Sequence, residues 1–261
     1  MRLKDKIAIV TGAASGIGRA TAITFAREGA SVAVSDINSE GAYATAQNIG
    51  DQAIPVSLDV TSEQSWADAV SQTINRFGRV DILANIAGIG FPGTILDLKM
   101  DEWNKMIAVN LTGVMLGCQA AIRAITKTNG HGAIINVSSL AGLVGISDVA
   151  GYCASKGGVT TLSKSVALYC AEQGLPIRCI SIHPTYVDSE MLDPVADAIG
   201  SREAMKAGMA SLVPMGRIAT PQDIANSILF AASEEASMMS GSALVIDGAQ
   251  LAGPSSAHKK D

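Results

Sequence analysis

Apolar runs of strand length alternate with amphipathic stretches along almost the whole chain. Continuous apolar segments at Ile7–Thr11, Ser31–Ser35, Ala53–Ser57, Asp81–Asn85, Gly132–Val137, Ile177–His183 and Ala243–Asp247 predict seven strands. Between them, helical patterns begin near Gly16, Asn38, Ser62, Asp101, Gly151 and Pro221. Strands that are apolar throughout must be covered on both faces, and parallel neighbours need crossover helices. The expectation is therefore an α/β fold: one doubly wound, Rossmann-type domain over residues 1–261, with a seven-stranded parallel sheet flanked by helices on both faces. No linker of Pro, Ser and Gly divides the chain, and no internal repeat is visible. Residues 184–220 break the rhythm. They are too long for a simple strand-to-helix turn and contain Met191, Met205, Met209 and Met215.

Composition narrows the function classes. With 48% hydrophobic residues and only 16% charged ones, disorder is excluded and surplus apolar surface is available for burial between subunits. The net charge of −5, without a Lys/Arg cluster, argues against a nucleic-acid partner. Cys118, Cys153, Cys170 and Cys179 match no zinc spacing and read as reduced, buried thiols. The N-terminus runs straight into the first strand with no signal-peptide pattern. The most apolar helical stretch, Leu111–Ile125, falls short of the ~20 apolar residues a membrane span needs. A cytoplasmic setting with no membrane partner is expected.

The first strand ends in Thr11-Gly12-Ala13-Ala14-Ser15-Gly16-Ile17-Gly18, and a helix follows at once. Glycines there permit a tight turn and let the backbone approach a pyrophosphate seated on the helix N-terminus. Asp36 closes the second strand, where a carboxylate can accept both hydroxyls of an adenosine ribose and would repel a 2′-phosphate. The positions that carry Arg or Lys in NADP readers hold Ser15 and Ile37, so NAD is the expected cofactor. Asp36 could also be a plain turn residue before the next helix. Asp59, beside Val60 at the end of the third strand, could meet the adenine amino group or simply cap the strand.

Tyr152 and Lys156 stand i, i+4 on a predicted helix and share a face. A phenol with a pKa of about 10 must drop by about 3 pH units to act as a base near neutrality, which corresponds to about 4 kcal/mol. One ammonium ~4 Å away supplies that much at an effective dielectric near 20. Ser138 and Ser139 follow the fifth strand on the ligand-binding edge, and either hydroxyl could hold a substrate oxygen for the tyrosine.

The set T-G-x-x-x-G-x-G, Asn85-Ile86-Ala87-Gly88, Asn110, Ser139, Tyr152 and Lys156 resembles the short-chain dehydrogenase/reductase family over nearly the whole chain, through Gly241-Ser242 and Asp247-Gly248. That resemblance implies Tyr152 as general acid/base, Lys156 as the group that binds the nicotinamide ribose and lowers the tyrosine pKa, and Ser139 rather than Ser138 as the positioning serine. It also implies a water held by Asn110 that links Lys156 to solvent. By the same resemblance Gly12, Ser15, Gly16, Ile17, Gly18, Asp36, Ile37, Asp59, Val60, Asn85, Ala87, Gly88, Pro184, Val187 and Ser189 bind the cofactor. Residues 1–100 would mainly bind NAD, 101–250 would carry catalysis and substrate binding, and 251–261 would form a polar tail. No metal is needed. Two departures stand out: Ile86 replaces an Asn, and Thr185 replaces a permissive Gly after the sixth strand.

The pocket should be built from Phe91, Leu140, Val144, Tyr186, Met191, Leu192, Met205 and Met209, an apolar, adaptable set suited to a small apolar alcohol or ketone. Segments such as Ser181-Ile182-His183-Pro184 are similar to bacterial NAD-linked hydroxysteroid and cyclic-alcohol dehydrogenases. His183 reads as a strand-end residue. Rival readings are a 3-oxoacyl-type reductase, which would normally use NADPH, and an NAD-binding sensor without turnover. The family resemblance also implies a homotetramer, with helices near 101–127 and 151–172 at one interface and the last helix and strand at another.

Overall fold

The computed structural model describes residues 1–128 and 130–253, so most of the expected polar tail lies outside the described residues. Seven strands form the sheet: β1 (Ile7–Thr11), β2 (Ser31–Asp36), β3 (Ala53–Ser57), β4 (Ile82–Asn85), β5 (Gly132–Val137), β6 (Ile177–Pro184) and β7 (Ala243–Ile246). Their order is β3-β2-β1-β4-β5-β6-β7, and every pair is parallel. The chain leaves β1 and β4 towards opposite sides, which opens a crevice beyond their carboxyl ends. Thr11 braces that crevice, its hydroxyl oxygen accepting the Ile86 and Ala87 amides at 2.9 and 3.0 Å.

Among the described residues nine helices flank the sheet: α1 (Gly16–Arg27), α2 (Ser39–Ile49), α3 (Glu63–Phe77), α4 (Met100–Ile107), α5 (Gly113–Lys127), α6 (Ala150–Glu172), α7 (Asp193–Ile199), α8 (Arg202–Ser211) and α9 (Pro221–Ala232). Asn38, Ser62 and Thr220 cap α2, α3 and α9 with their side chains, and Asp223 completes a capping box with Thr220. On one face Phe25, Ile224 and Ile228 pack on Val10, Val32 and Ile135. On the other, Trp66, Leu116, Ile125 and Val159 pack on Ile9, Leu83 and Ile134. These two layers place the core where the continuous apolar strands require it.

One helix corrects the sequence reading. α4 and α5 are joined through a π-helical segment, Ala108–Thr112, into one helix of 28 residues, Met100–Lys127, long and apolar enough to cross a membrane by length and composition. Its buried side chains, Val114, Leu116, Cys118, Ala121, Ala124 and Ile125 among them, are instead core of the sheet's second face. Residues 184–220 form a short 3₁₀ turn (Glu190–Leu192), α7 and α8. Arg202 and Lys206 of α8 both pair with Asp188, tying this segment to the end of β6.

Candidate active site

A cavity of about 610 Å³ opens at the carboxyl edge of β1 and β4 and runs from Asp36 past Tyr152 to Gln250. At one end the glycine loop fits close backbone approach. A Cβ on Gly12 would stand 2.9 Å from the Ala87 Cα, and one on Gly18 would stand 2.0 Å from the Gly12 carbonyl oxygen. Gly12 and Gly16 both take positive φ. Ser15 is the extended N-cap of α1, and its hydroxyl makes no capping bond. The loop therefore offers its backbone to an anion at the helix N-terminus.

Asp36 does two jobs. One carboxylate oxygen accepts the Ala14 amide at 2.9 Å and the other accepts the Asn38 amide at 2.9 Å, so it shapes the glycine loop and turns the chain into α2. Each oxygen keeps a further lone pair, and the residue lines the cavity beside exposed Ile37. This arrangement fits a ribose diol. The Arg19 guanidinium is turned to the Ala14 carbonyl and to Glu190. Asp59 accepts both the amide and the hydroxyl of Thr61, at 2.9 and 2.7 Å, which turns the chain between β3 and α3; it lines the cavity with Val60 as well.

Tyr152 enters on the first turn of α6, its ring edge facing Gly90, where an added Cβ would lie 3.6 Å from Cδ2. Lys156, one turn on, is buried; its Nζ donates to the Val137 carbonyl at 2.9 Å and lies 5.6 Å from the Tyr152 ring centroid. Burial lowers the Lys156 pKa to about 8. Burial also raises the Tyr152 phenol above its ordinary value, opposed by the Ser139 hydroxyl and assisted by Cys153. Both groups lose solvent, and that effect dominates before any cofactor charge is added.

The two serines separate cleanly. Ser138 is buried, donating to the Lys156 carbonyl at 2.8 Å and meeting the Thr160 hydroxyl at 3.0 Å. Ser139 holds only the Ala141 amide, at 3.2 Å, and presents its hydroxyl to the phenol. Asn110 sits within the π-helical segment. Its amide exchanges two 2.8 Å hydrogen bonds with the Ile89 backbone and donates to Ser155 at 3.1 Å, and Ser155 in turn donates to the Tyr152 carbonyl. The side chain is committed to bracing the loop after β4, and the residue does not line the cavity. Nor does Asn85, whose amide donates to Asn136 at 2.9 Å beneath α5. Ala87 and Gly88 do line it, as do Pro184, Val187 and Ser189.

Of the apolar set expected around the substrate, Leu140, Tyr186, Met191 and Leu192 line the cavity. Phe91, Val144, Met205 and Met209 do not; Met205 is buried in the α7–α8 segment. Sequence reasoning missed Ser155, Asn136, Lys105 and Gln250, and underrated His183. The His183 ring is fully buried between the Ser181 hydroxyl, 2.8 Å from Nε2, and the Ser139 carbonyl, 3.0 Å from Nδ1. Only Ser155 carried a signal, its i+3 position from Tyr152 on one helix face. Among the described residues no group of three His, Cys, Asp or Glu side chains converges on a common point.

Fold and cavity together define an oxidoreductase of the NAD-binding Rossmann type. A family profile described as Enoyl-(Acyl carrier protein) reductase matches residues 12–249. The chain is 40% identical over 250 residues to the 2,5-dichloro-2,5-cyclohexadiene-1,4-diol dehydrogenase of Sphingobium indicum, covering 95% of this chain and 96% of the relative. It is 39% identical to the 3-alpha-(or 20-beta)-hydroxysteroid dehydrogenase of Mycobacterium tuberculosis, covering 97% and 92%. A crystal structure of a short-chain type dehydrogenase/reductase from Mycobacterium marinum superposes with a TM-score of 0.89 at 33% identity, over 96% of this chain and 97% of that one. The chain belongs to the short-chain dehydrogenase/reductase family and is an NAD-dependent oxidoreductase.

Proposed function

We propose that this enzyme interconverts an apolar, cyclic or steroid-like secondary alcohol and its ketone, with Tyr152 as the acid/base. The observation that carries the reading is the meeting of Ser139, Tyr152 and Lys156 on one wall of the cavity that ends at Asp36. NAD, when bound, supplies the hydride acceptor. Gly12, Ser15, Gly16, Ile17 and Gly18 would hold its pyrophosphate, Asp36 and Ile37 its adenosine ribose, and Asp59 and Val60 its adenine. Ala87, Gly88, Pro184, Val187 and Ser189 would hold the nicotinamide half, with Asn85 supporting them from beneath the sheet. The two relatives named above are, by their names, dehydrogenases of a cyclohexadiene diol and of hydroxysteroids, which supports the substrate class.

In this reading Ser139 donates to the substrate oxygen and holds it at the phenol. Tyr152 removes the hydroxyl proton during oxidation and returns it during reduction. Burial favours the neutral phenol, and it becomes a base when Lys156 and the positive ring of the oxidised cofactor act on it together. Asn110 acts as a brace through Ile89 and Ser155. Any proton relay from Lys156 to solvent then needs a water in this segment, as the family resemblance implies.

A division into a cofactor-binding part (1–100) and a catalytic part (101–250) belongs to the same proposal, as do a cytoplasmic setting and a homotetramer. Four free cysteines suit a reducing compartment, and exposed Leu168, Tyr169 and Val245 on α6 and β7 suit subunit burial. The test is turnover of a panel of cyclic secondary alcohols, followed by absorbance of reduced cofactor. NAD-linked oxidation is expected; equal or better use of NADP, or no turnover of any member, would overturn the reading.

A further inference from the structure

Thr185 occupies the position where the family resemblance calls for glycine, and its hydroxyl has a partner 65 residues away. It bonds the side-chain oxygen of Gln250, and the Gln250 amide nitrogen donates to the Leu212 carbonyl at 3.1 Å. A carbonyl can only accept, so the atom facing Leu212 is the NH₂ group and the orientation of the amide is fixed. One N–H of that group has no partner among the described residues, and Gln250 lines the same cavity as Ser139 and Tyr152.

The turn that presents Gln250 is built against a local conformational cost. Ala249 takes a φ of 74°, a left-handed backbone that disfavours a residue with a Cβ. The Asp247 carboxylate holds the turn by accepting the Ala249 amide at 3.0 Å and the Leu251 amide at 2.8 Å. Thr185 is also anchored from this side, its amide donating to the Ile246 carbonyl at 3.0 Å.

We propose that Gln250, oriented by Thr185, forms a polar subsite remote from the reacting carbon that recognises a second oxygen on the substrate. The preferred substrates are then cyclic alcohols with a further hydroxyl or carbonyl group, whose oxygen accepts the remaining Gln250 N–H. Beside the apolar side chains of Leu140, Met191 and Leu192 one such bond discriminates, because an analogue without the oxygen leaves the amide N–H unpaired. This rests on the substrate class proposed above.

Affinity of the NAD-loaded protein, measured by calorimetry, tests the subsite without requiring turnover. Two matched pairs serve as probes: cyclohexane-1,4-diol against cyclohexanol, and a hydroxysteroid bearing a second ketone against the same steroid lacking it. In at least one pair the doubly oxygenated member is expected to bind about tenfold more tightly. Gln250→Leu and, independently, Thr185→Val should bring that ratio close to one. No preference in either pair, or a ratio unmoved in both variants while affinity for both members falls together, would overturn the proposal. Turnover assayed in parallel reports on the proposed reaction separately, so loss of one claim does not carry the other with it.

Discussion

Lys156 Nζ lies 5.6 Å from the centre of the Tyr152 ring and donates to the Val137 carbonyl, so the two residues meet as buried neighbours in the free protein. Burial raises the phenol and lowers the ammonium, each towards its neutral form. Ultraviolet titration, taken as the difference between the natural protein and Tyr152→Phe, should therefore show Tyr152 ionising above the ordinary tyrosine range. Adding oxidised NAD should move that ionisation towards neutrality. A titration unchanged by NAD would contradict activation by the bound cofactor.

Lys156 also makes a stability prediction. Its folded pKa of about 8 lies below the ordinary 10.5, so between those values the unfolded chain binds more protons and stability rises with pH. Below pH 8 the full penalty for burying the charge remains. Lys156→Met should then be more stable than the natural protein at pH 7, by about 1–3 kcal/mol or several degrees in Tm, with the gap closing towards pH 10. Turnover should be lost in the same variant. Thermal melts across that pH range check the sign.

In the proposed reading Asp36 links cofactor choice to the shape of the glycine loop, since its carboxylate accepts the Ala14 amide. Asp36→Ala should weaken NAD binding at least tenfold and narrow the gap to NADP. Leaving the Ala14 amide without its acceptor should also cost about 1–2 kcal/mol in unfolding free energy. Cofactor titration and denaturant unfolding read the two effects separately.

His183 can be assigned a tautomer. The Ser139 carbonyl can only accept, so Nδ1 carries the hydrogen and bare Nε2 accepts from Ser181. Burial holds the imidazole pKa below its ordinary 6.5, opposed by the Ser139 carbonyl and aided by Lys164 and Lys156. Below pH 6.5 the unfolded chain therefore binds the extra proton first, and stability falls as the pH drops. In His183→Asn that acid loss should be smaller, while turnover falls severalfold because the Ser139 backbone is no longer held. Melts between pH 5 and 7, with kcat at pH 8, test both.

Much of this was legible in the sequence because it depends on local pattern. β1, β3 and β5 have the predicted ends, and Asn38 and Ser62 turn out to be helix caps. The glycine loop, Asp36 and the Tyr152/Lys156 pair lie on single turns or helix faces, where spacing decides position. What spacing could not show is what lies across the fold. The bond from Thr185 to Gln250, the pairing of Asn85 with Asn136 and the choice between Ser138 and Ser139 depend on which side chains α6 and the β7 turn bring near. α7 and α8 escaped because each is short and Gly200, in a left-handed conformation, separates them.

The central claim is that Tyr152 moves the proton while the rest of the site holds cofactor and substrate. It is tested most directly by Tyr152→Phe, measuring kcat on a cyclic alcohol that the natural enzyme oxidises, together with the Kd for NAD in both proteins. The account predicts a loss of about 10³-fold or more in kcat, with NAD affinity within about threefold of the natural protein. Near-full turnover in the variant would contradict it.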